Sequence, residues 1–344
     1  MSMNSSYTRP ATLWTVPEVV QSDTIRLKQY DVKGTVRSRD YDVHLTQCIA
    51  RDVIACDHVE LVGSWVRSVS ARNYDASIKG RSVVCGSVHA SDHVTVDASQ
   101  VGSVEARNYN ATISGRSVVN GTVEASDYVT VSQSVVKGDV MARNYDVVVK
   151  DNSEVAGSIS ASDNVRVSNS KVEGSIKARN YNVVISGSKI HGDVSASDRV
   201  QIEGSEVTGD VTARNKDVTL SSSSCGTVVS HGIPTIKESQ MKSLTIHLPK
   251  KGVIELDLGK STILGNLTLR HAGTVINARV GGVNVSNVVC GGNVFCASLR
   301  GDGCDVVFNS NTLICDGGSF IITGDPVSQI VGYVDMYCTD GAIG

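Results

Sequence analysis

The chain has 344 residues, with 32 Lys and Arg against 35 Asp and Glu, a formal net charge of -3 and 4% aromatic residues. That balance gives no global attraction for nucleic acid or anionic lipid, and three Phe in the whole chain exclude a broad, ring-filled globular core. No run of about 18 apolar residues supplies a transmembrane segment, and the start, with Pro10, Trp14 and Pro17, lacks the basic and apolar regions of a signal peptide; the expected location is the cytoplasm, with signal-less secretion as the alternative.

Residues 1–37 precede the repeats and are expected to form a lead-in that caps the first coil. From Ser38 onward, segments of 16 to 19 residues open alternately with Ala-Arg-Asn-Tyr and Ala-Ser-Asp, and the pair recurs about every 35 residues. The first type starts at Ala71, Ala106, Ala142, Ala178 and Ala213, and the second at Ala55, Ala90, Ala125, Ala161 and Ala196, with Cys56 replacing Ser in the first of these. Ser38-Arg39-Asp40-Tyr41 is a degenerate first copy. Within a segment, apolar residues stand two apart in short bursts separated by Ser, Asp or Gly, as in Val94-Thr95-Val96 and Val101-Gly102-Ser103-Val104. This is strand periodicity, and no 3.6-residue stripe interrupts it between 38 and 212. Each segment holds about three short strands at roughly 3.3 Å per residue, which suits one turn of a three-sided coil. The fold class expected is all-β, a β-solenoid with a less regular C-terminal β section.

Stacking such coils at about 4.8 Å lines equivalent residues into columns. Val88, Val104, Val123, Val140, Ile159, Ile176, Val194 and Val211 each lie two residues after a Gly and two before an Ala, and are expected to form an inward aliphatic ladder. The preceding glycines, among them Gly86, Gly102, Gly121, Gly138 and Gly174, mark a corner that needs either a positive φ or close backbone approach. Asn73, Asp92, Asn108, Asp127, Asn144 and their equivalents form a polar column whose short side chains suit a structural corner.

Regularity fades after Ala213, where Arg214-Asn215-Lys216 loses its Tyr, Ser221 to Ser224 is polar and Ile233-Pro234 interrupts the ladder. The expected organisation is a regular β-helix over 38–215, a connecting segment over 216–242, and an irregular β-solenoid section with a cap near Ile330 to Gly344 over 243–344. Nine Cys form no short-loop framework, so reduced thiols are expected; Cys290, Cys296, Cys304 and Cys315 lack zinc-knuckle spacing and read as stacked small side chains.

On the outside, Arg72, Arg107, Arg143 and Arg179 recur at every second coil, about 10 Å apart, each two residues before Tyr74, Tyr109, Tyr145 or Tyr181. These eight residues are the candidate binding ladder. A line of Arg beside Tyr grips an extended anionic or sugar polymer through charge-assisted bonds and ring contact; alternatively the Arg stems cover apolar surface and the Tyr rings pack at the corner. His58 and His93 share a position filled later by Tyr128, Asn164 and Arg199, as expected of an exposed column. A catalytic centre would draw on Asp302, Asp305, Asp316 and Asp325 with His247 and His271, but no nucleophile–base spacing, phosphate loop or metal motif joins them. No cofactor and no reaction are implied.

The run Val172-Glu173-Gly174-Ser175-Ile176-Lys177-Ala178, continued by Val183-Val184-Ile185, Gly187-Ser188 and Ile190-His191-Gly192-Asp193-Val194-Ser195-Ala196, resembles the bactofilins, a bacterial polymer-forming cytoskeletal family. The resemblance spans about 38–215. It implies a right-handed β-helix and a non-catalytic scaffold that self-associates end to end without nucleotide and recruits protein partners. The chain departs from the family pattern in its longer solenoid, its two-coil supercycle and its second section. The expected function is thus a bactofilin-like scaffold, with a polysaccharide-binding or polysaccharide-processing β-helix, or a signal-less secreted effector, as alternatives.

Overall fold

The computed structural model describes residues 13–247 without a break, and beyond them 252–258, 260–270, 276–281, 284–291, 294–296, 305–308 and 319–322. Every regular element among them is a β-strand, and the chain divides into two compact units, 1–174 and 175–344. The β-solenoid expected from the repeat is the fold.

In the first unit each coil contributes three strand stretches, such as Val129–Ser132, Val135–Val136 and Val140–Ala142, sometimes fused into two as in Val94–Asp97 and Gln100–Ala106. Each stretch pairs in parallel with its equivalent one coil on: Val129 lies beside Val147, Val135 beside Glu154 and Val140 beside Ile159. Residues 14–37 carry strands of the same kind, Trp14–Val16 pairing with Tyr30–Val32 and Val19–Gln21 with Val36–Ser38.

Alternation turns every second side chain inward, so identical positions stack into continuous aliphatic columns. Val53, Val69, Val88, Val104, Val123, Val140 and Ile159 are at most 2% exposed, as are Leu45, Leu61, Ile78, Val96, Ile113, Val131 and Val149 on the facing side. The narrow turn beside the first column is filled by Ala55, Ala71, Ala90, Ala106, Ala125, Ala142 and Ala161. The inward ladder expected from sequence is therefore the core.

The glycine corner follows the second of its two expected causes. Gly86, Gly102, Gly121, Gly138, Gly157 and Gly174 have no positive φ; a Cβ on Gly138 would lie 2.7 Å from the carbonyl of Gly121 and 2.9 Å from the nitrogen of Thr122. Backbone rests on backbone there, with Gly138 N–H donating to Gly121 O at 3.1 Å.

Positive φ occurs at a different corner, at Gln47, Gly63, Arg81, Ala98, Arg116, Gln133, Asn152 and Asn169. Each immediately precedes a buried Cys or Ser: Cys48, Ser64, Ser82, Ser99, Ser117, Ser134, Ser153 and Ser170. The left-handed residue reverses the chain and sends the next side chain inward. That hydroxyl then closes the local hydrogen bonding, accepting the backbone N–H of the preceding coil's member, as from Ser99 to Ser117 at 3.1 Å, while donating to a carbonyl of its own coil, as from Ser117 to Ser114. A buried backbone N–H thus gains a partner where the turn has removed its ladder bond.

The second unit repeats these devices. Ile176, Val194, Val211 and Val228 stack in register, as do Ile185, Ile202 and Leu220. Ser188, Ser205, Ser223 and Ser239 continue the hydroxyl ladder within this unit, with N–H to Oγ distances of 3.1, 3.2 and 3.3 Å between successive members. Across 216–242, Thr235–Lys237 pairs with Thr219–Ser221, and the missing N–H of Pro234 falls just before the strand, where the ladder does not need it. Ser224–Ser230 then pairs with Gln240–Ile246. Further strands at Gly252–Asp257, Thr262–Arg270, Ile276–Gly281 and Asn284–Gly291 are also parallel, with register shifts between Met241 and Leu244 and between Ile263 and Asn266 that make this section less regular. Cys304, Cys315, Asp302, Asp316, Asp325, His271 and the cap near 330–344 lie outside the described residues.

Candidate functional site

The polar column and the Arg/Tyr ladder lie at one corner of the coil, between the inward Ala and the first strand of the next face. The two segment types differ here in length. Between Ala71 and Ala76 stand Arg72, Asn73, Tyr74 and Asp75, whereas between Ala90 and the paired Val94 stand only Ser91, Asp92 and His93. The extra residue bulges one corner and leaves an N–H on the next coil opposite no carbonyl. The bulging residue itself supplies the acceptor. Asp42 accepts the N–H of His58 at 3.0 Å, Asp75 that of His93 at 2.9 Å, Asn110 that of Tyr128 at 3.2 Å and Asp146 that of Asn164 at 2.9 Å. The two-coil supercycle is therefore a local hydrogen-bond requirement: each long coil with an Asx is followed by a short coil whose N–H uses it.

The polar column is a structural ladder, as expected. Asn108 Nδ2 donates to Ser91 Oγ at 3.0 Å and to Asp92 Oδ1 at 3.3 Å, and Asn144 repeats this with Ser126 and Asp127.

His58 and His93 belong to the same corner and are more than incidental surface residues. The ring of His58 donates from Nδ1 to Asp42 at 3.1 Å and stacks on Tyr74 with centroids 5.0 Å apart; His93 does the same with Asp75 at 2.9 Å and Tyr109 at 5.1 Å. Tyr128 stacks on Tyr145 at 5.0 Å. His44 adds a contact to Glu60 at 3.1 Å and lies 3.7 Å from Asp42. Burial works against the Asp42 carboxylate, but the His58 N–H and ring, with the charge of His44, hold its pKa below the ordinary value. Asp146 is likewise held low by Asn164 and Arg166 against its burial. The sequence signal for this arrangement is the recurrence of Asp or Asn one residue after the Tyr of each long coil, at Asp42, Asp75, Asn110 and Asp146, a position that the opening tetrad of the repeat leaves out.

All eight ladder residues are exposed, Arg72 and Tyr74, Arg107 and Tyr109, and Arg143 and Tyr145 in the first unit, Arg179 and Tyr181 in the second. One ring face of Tyr74, Tyr109 and Tyr145 is covered by the preceding coil's aromatic residue. Arg143 is paired with Glu124, Nε to Oε1 at 2.6 Å, and Arg107 lies 3.7 Å from Glu105; Arg72 has no carboxylate within 4.0 Å among the described residues.

Of the other residues considered for chemistry, His247 stacks on His231 at 4.1 Å, a neighbour that the sequence did not pair with it. Among the described residues no three His, Cys, Asp or Glu side chains converge on a common metal position. Cys48, Cys56, Cys85 and Cys225 are free thiols, and burial with the nearby Asp210 charge pushes Cys225 up to about 12. Among the described residues no helix is long and apolar enough to cross a membrane.

In a comparison with known families, residues 147–242 fit the family model Bactofilin, described as polymer-forming cytoskeletal. The motif run from Val172 to Ala196 lies inside this stretch, so the repeats there are bactofilin-like. The match covers less than a third of the chain. No curated protein and no solved structure matches the chain.

Proposed function

We propose that the protein is a non-catalytic scaffold whose copies join coil edge to coil edge and present the outer columns to protein partners. The observation that carries this reading is the unchanged parallel register by which each coil continues the one before it: Trp14–Val16 pairs with Tyr30–Val32, Val19–Gln21 with Val36–Ser38 and Ile25–Lys28 with Val43–Thr46. A β-coil edge offers a row of N–H and C=O groups in the register that another coil would continue, so one stack is a template for the next. The family described as polymer-forming, matched over 147–242, supports the same reading. Assembly of this kind needs no nucleotide, because the driving force is backbone pairing and burial of the terminal apolar layer. Light scattering across a wide concentration range, with negative-stain microscopy, tests it. A mass that rises with concentration and particles that lengthen are expected; monomers throughout would remove polymerisation and leave a discrete scaffold.

A further inference from the structure

One outward column of the first unit is apolar where its neighbour is polar. The column that starts at Arg26 runs in register through His44, Glu60, Ser77, Thr95 and Thr112. The column that starts at Ile49 runs through Trp65, Val83, Gln100, Val118 and Val135, so five of six consecutive outward residues are apolar. Its aliphatic members are half-buried and Trp65 is 37% exposed. The stripe has a basic frame. Arg81 and Arg116 stand two residues before Val83 and Val118, at the left-handed corner, and Arg51, Arg67 and Lys137 stand two residues after Ile49, Trp65 and Val135; all five are exposed. Arg67 is bound to Asp52, and Lys137 donates to the Asn120 side chain at 2.9 Å. Arg51, Arg81 and Arg116 have no carboxylate within 4.0 Å among the described residues. The acids nearby are engaged or terminal. Asp31 is paired with Lys33, Asp97 and Asp139 accept bonds from Ser114 and Ser158, and Asp151 and Glu154 stand where the stripe ends.

We propose that this stripe docks an amphipathic helix of a partner protein, laid along the stack, whose apolar row is flanked by Asp and Glu. The spacing favours a helix. Its turns repeat about every 5.4 Å and the coils about every 4.8 Å, so one turn falls beside each coil and the drift over the five steps from Ile49 to Val135 is only about 3 Å. An extended segment laid the same way repeats its side chains about every 6.7 Å and loses register within about two coils. The frame sets the charge, because the unpaired Arg51, Arg81 and Arg116 attract acidic flanks and repel basic ones. A second copy of the stripe would bring those same arginines against each other. Val is shorter than the Arg and Lys on either side, so the apolar row lies below its rim; a helix can enter it, and a flat lipid surface meets the rim first. The stripe is about 24 Å long and one residue wide, well below the roughly 800 Å² per partner of a stable interface, so binding is weak and salt-sensitive. The proposal rests on the scaffold reading, whose partner-facing column it names. The test separates the two, since stripe occupancy is read on single copies and assembly is read from particle length.

The probe is a designed helical peptide of about 16 residues, the length that spans the stripe, with one row of Leu flanked by Glu. Controls are the same peptide with Lys for Glu, and a Glu peptide of scrambled order. The chain has two Trp, and Trp14→Phe leaves Trp65 as the sole reporter in the full-length protein. Titration at low salt to about 1 mM, the weak end of specific affinity, should shift Trp65 emission to the blue with the Glu peptide and with neither control. High salt should reverse the shift. Arg51→Glu/Arg116→Glu should weaken the Glu peptide tenfold or more and gain the Lys peptide, and Val118→Thr/Val135→Thr should weaken it several-fold, both with unchanged circular dichroism. No shift with the Glu peptide, equal shifts with either control, or variants that bind as wild type does would each overturn the proposal. So would a Trp65 shift with phosphatidylglycerol vesicles and none with the peptide, which would assign the stripe to a lipid surface, or emission that moves with protein concentration alone, which would assign it to a second copy. If the variants misfold, the preference of wild type for the Glu over the Lys peptide decides the matter.

Discussion

Substituting Gly138 by Ala tests the claim that this glycine column exists for contact and not for dihedral freedom. The added Cβ would lie 2.7 Å from both carbonyl atoms of Gly121 and 2.9 Å from Thr122 N, against 3.4 Å for an ordinary contact. All three obstacles are backbone, so no side chain can swing away, and the two coils must part locally by about 0.7 Å, enough to forfeit much of the local dispersion attraction. That would stretch the Gly138 N–H to Gly121 O bond, now 3.1 Å, beyond hydrogen-bonding range. Overpacking and the lost bond together cost about 2–4 kcal/mol. In a stack held by nearest neighbours the damage stays near the insertion. Amide exchange at Lys137 and Val140, which donate to Val119 and Ser158, should therefore accelerate roughly 30- to 1,000-fold, while the Val43 amide keeps its protection. The control is Gly63→Ala, where φ is +56° but the nearest atom is at 3.4 Å; only the left-handed penalty of about 1 kcal/mol applies. If Gly63→Ala proves the costlier change, or Gly138→Ala leaves exchange at Lys137 untouched, the close-approach account is wrong.

Ser117→Ala should cost about 1–3 kcal/mol in urea unfolding, because the buried N–H of Ser99 loses its acceptor, whereas Ser126→Ala at the outer corner should change stability by less than about 0.5 kcal/mol. Ala98, at φ 47°, is a site where glycine relieves strain, and Ala98→Gly is expected to stabilise by up to about 1 kcal/mol; a lower melting temperature would contradict it. Asp42, Asp52 and Asp146 have folded pKa values below their ordinary ones. Their stabilisation is complete above the unfolded carboxylate value of about 3.9 and is lost as pH falls through the lower folded values. Acid titration followed by circular dichroism should thus show loss of stability confined to pH below about 4, and Asp52→Asn, which weakens the bond to Arg67, should flatten that part of the curve.

The columns that could be read from sequence were those whose chemistry has one meaning. Val140 flanked by Gly138 and Ala142 can only be an inward position in a strand repeat, and it is. Serine carries less information. Ser117 and Ser134 sit among the Ser, Asp and Gly that separate the apolar bursts, and nothing in the spacing distinguishes them from exposed serines, yet they are buried and hydrogen-bonded. The feature that marks them is the left-handed residue before each, and that is Gly at Gly63 but Arg, Ala, Gln or Asn at Arg116, Ala98, Gln133 and Asn152. A propensity scale flags Asn there but not Arg, Ala or Gln, because at those three the ladder on both sides enforces what the residue alone would not choose. The His58 and His93 corner was hidden for a related reason: the partner that gives each imidazole its place is the Asx of the preceding coil, 16 and 18 residues earlier. Only the register of stacking reveals that neighbour.

The alternation of long and short coils separates two kinds of constraint along the same chain. Inward columns run with a period of one coil, because every layer must match the layers above and below in volume, and Val, Ile and Ala recur accordingly. The corner runs with a period of two, because a bulged turn leaves an N–H that its own extra Asx must satisfy on the next coil. A substitution at Val123 is therefore felt by both neighbours alike, while one at Asp146 is felt mainly by Asn164 and Arg166 on the coil that follows. Asp146→Ala should accelerate exchange of the Asn164 amide well beyond any effect on Asn144, whose N–H bonds to Ser126 O and does not depend on the Asx. Equal acceleration at both amides would mean that the two-coil period has another origin.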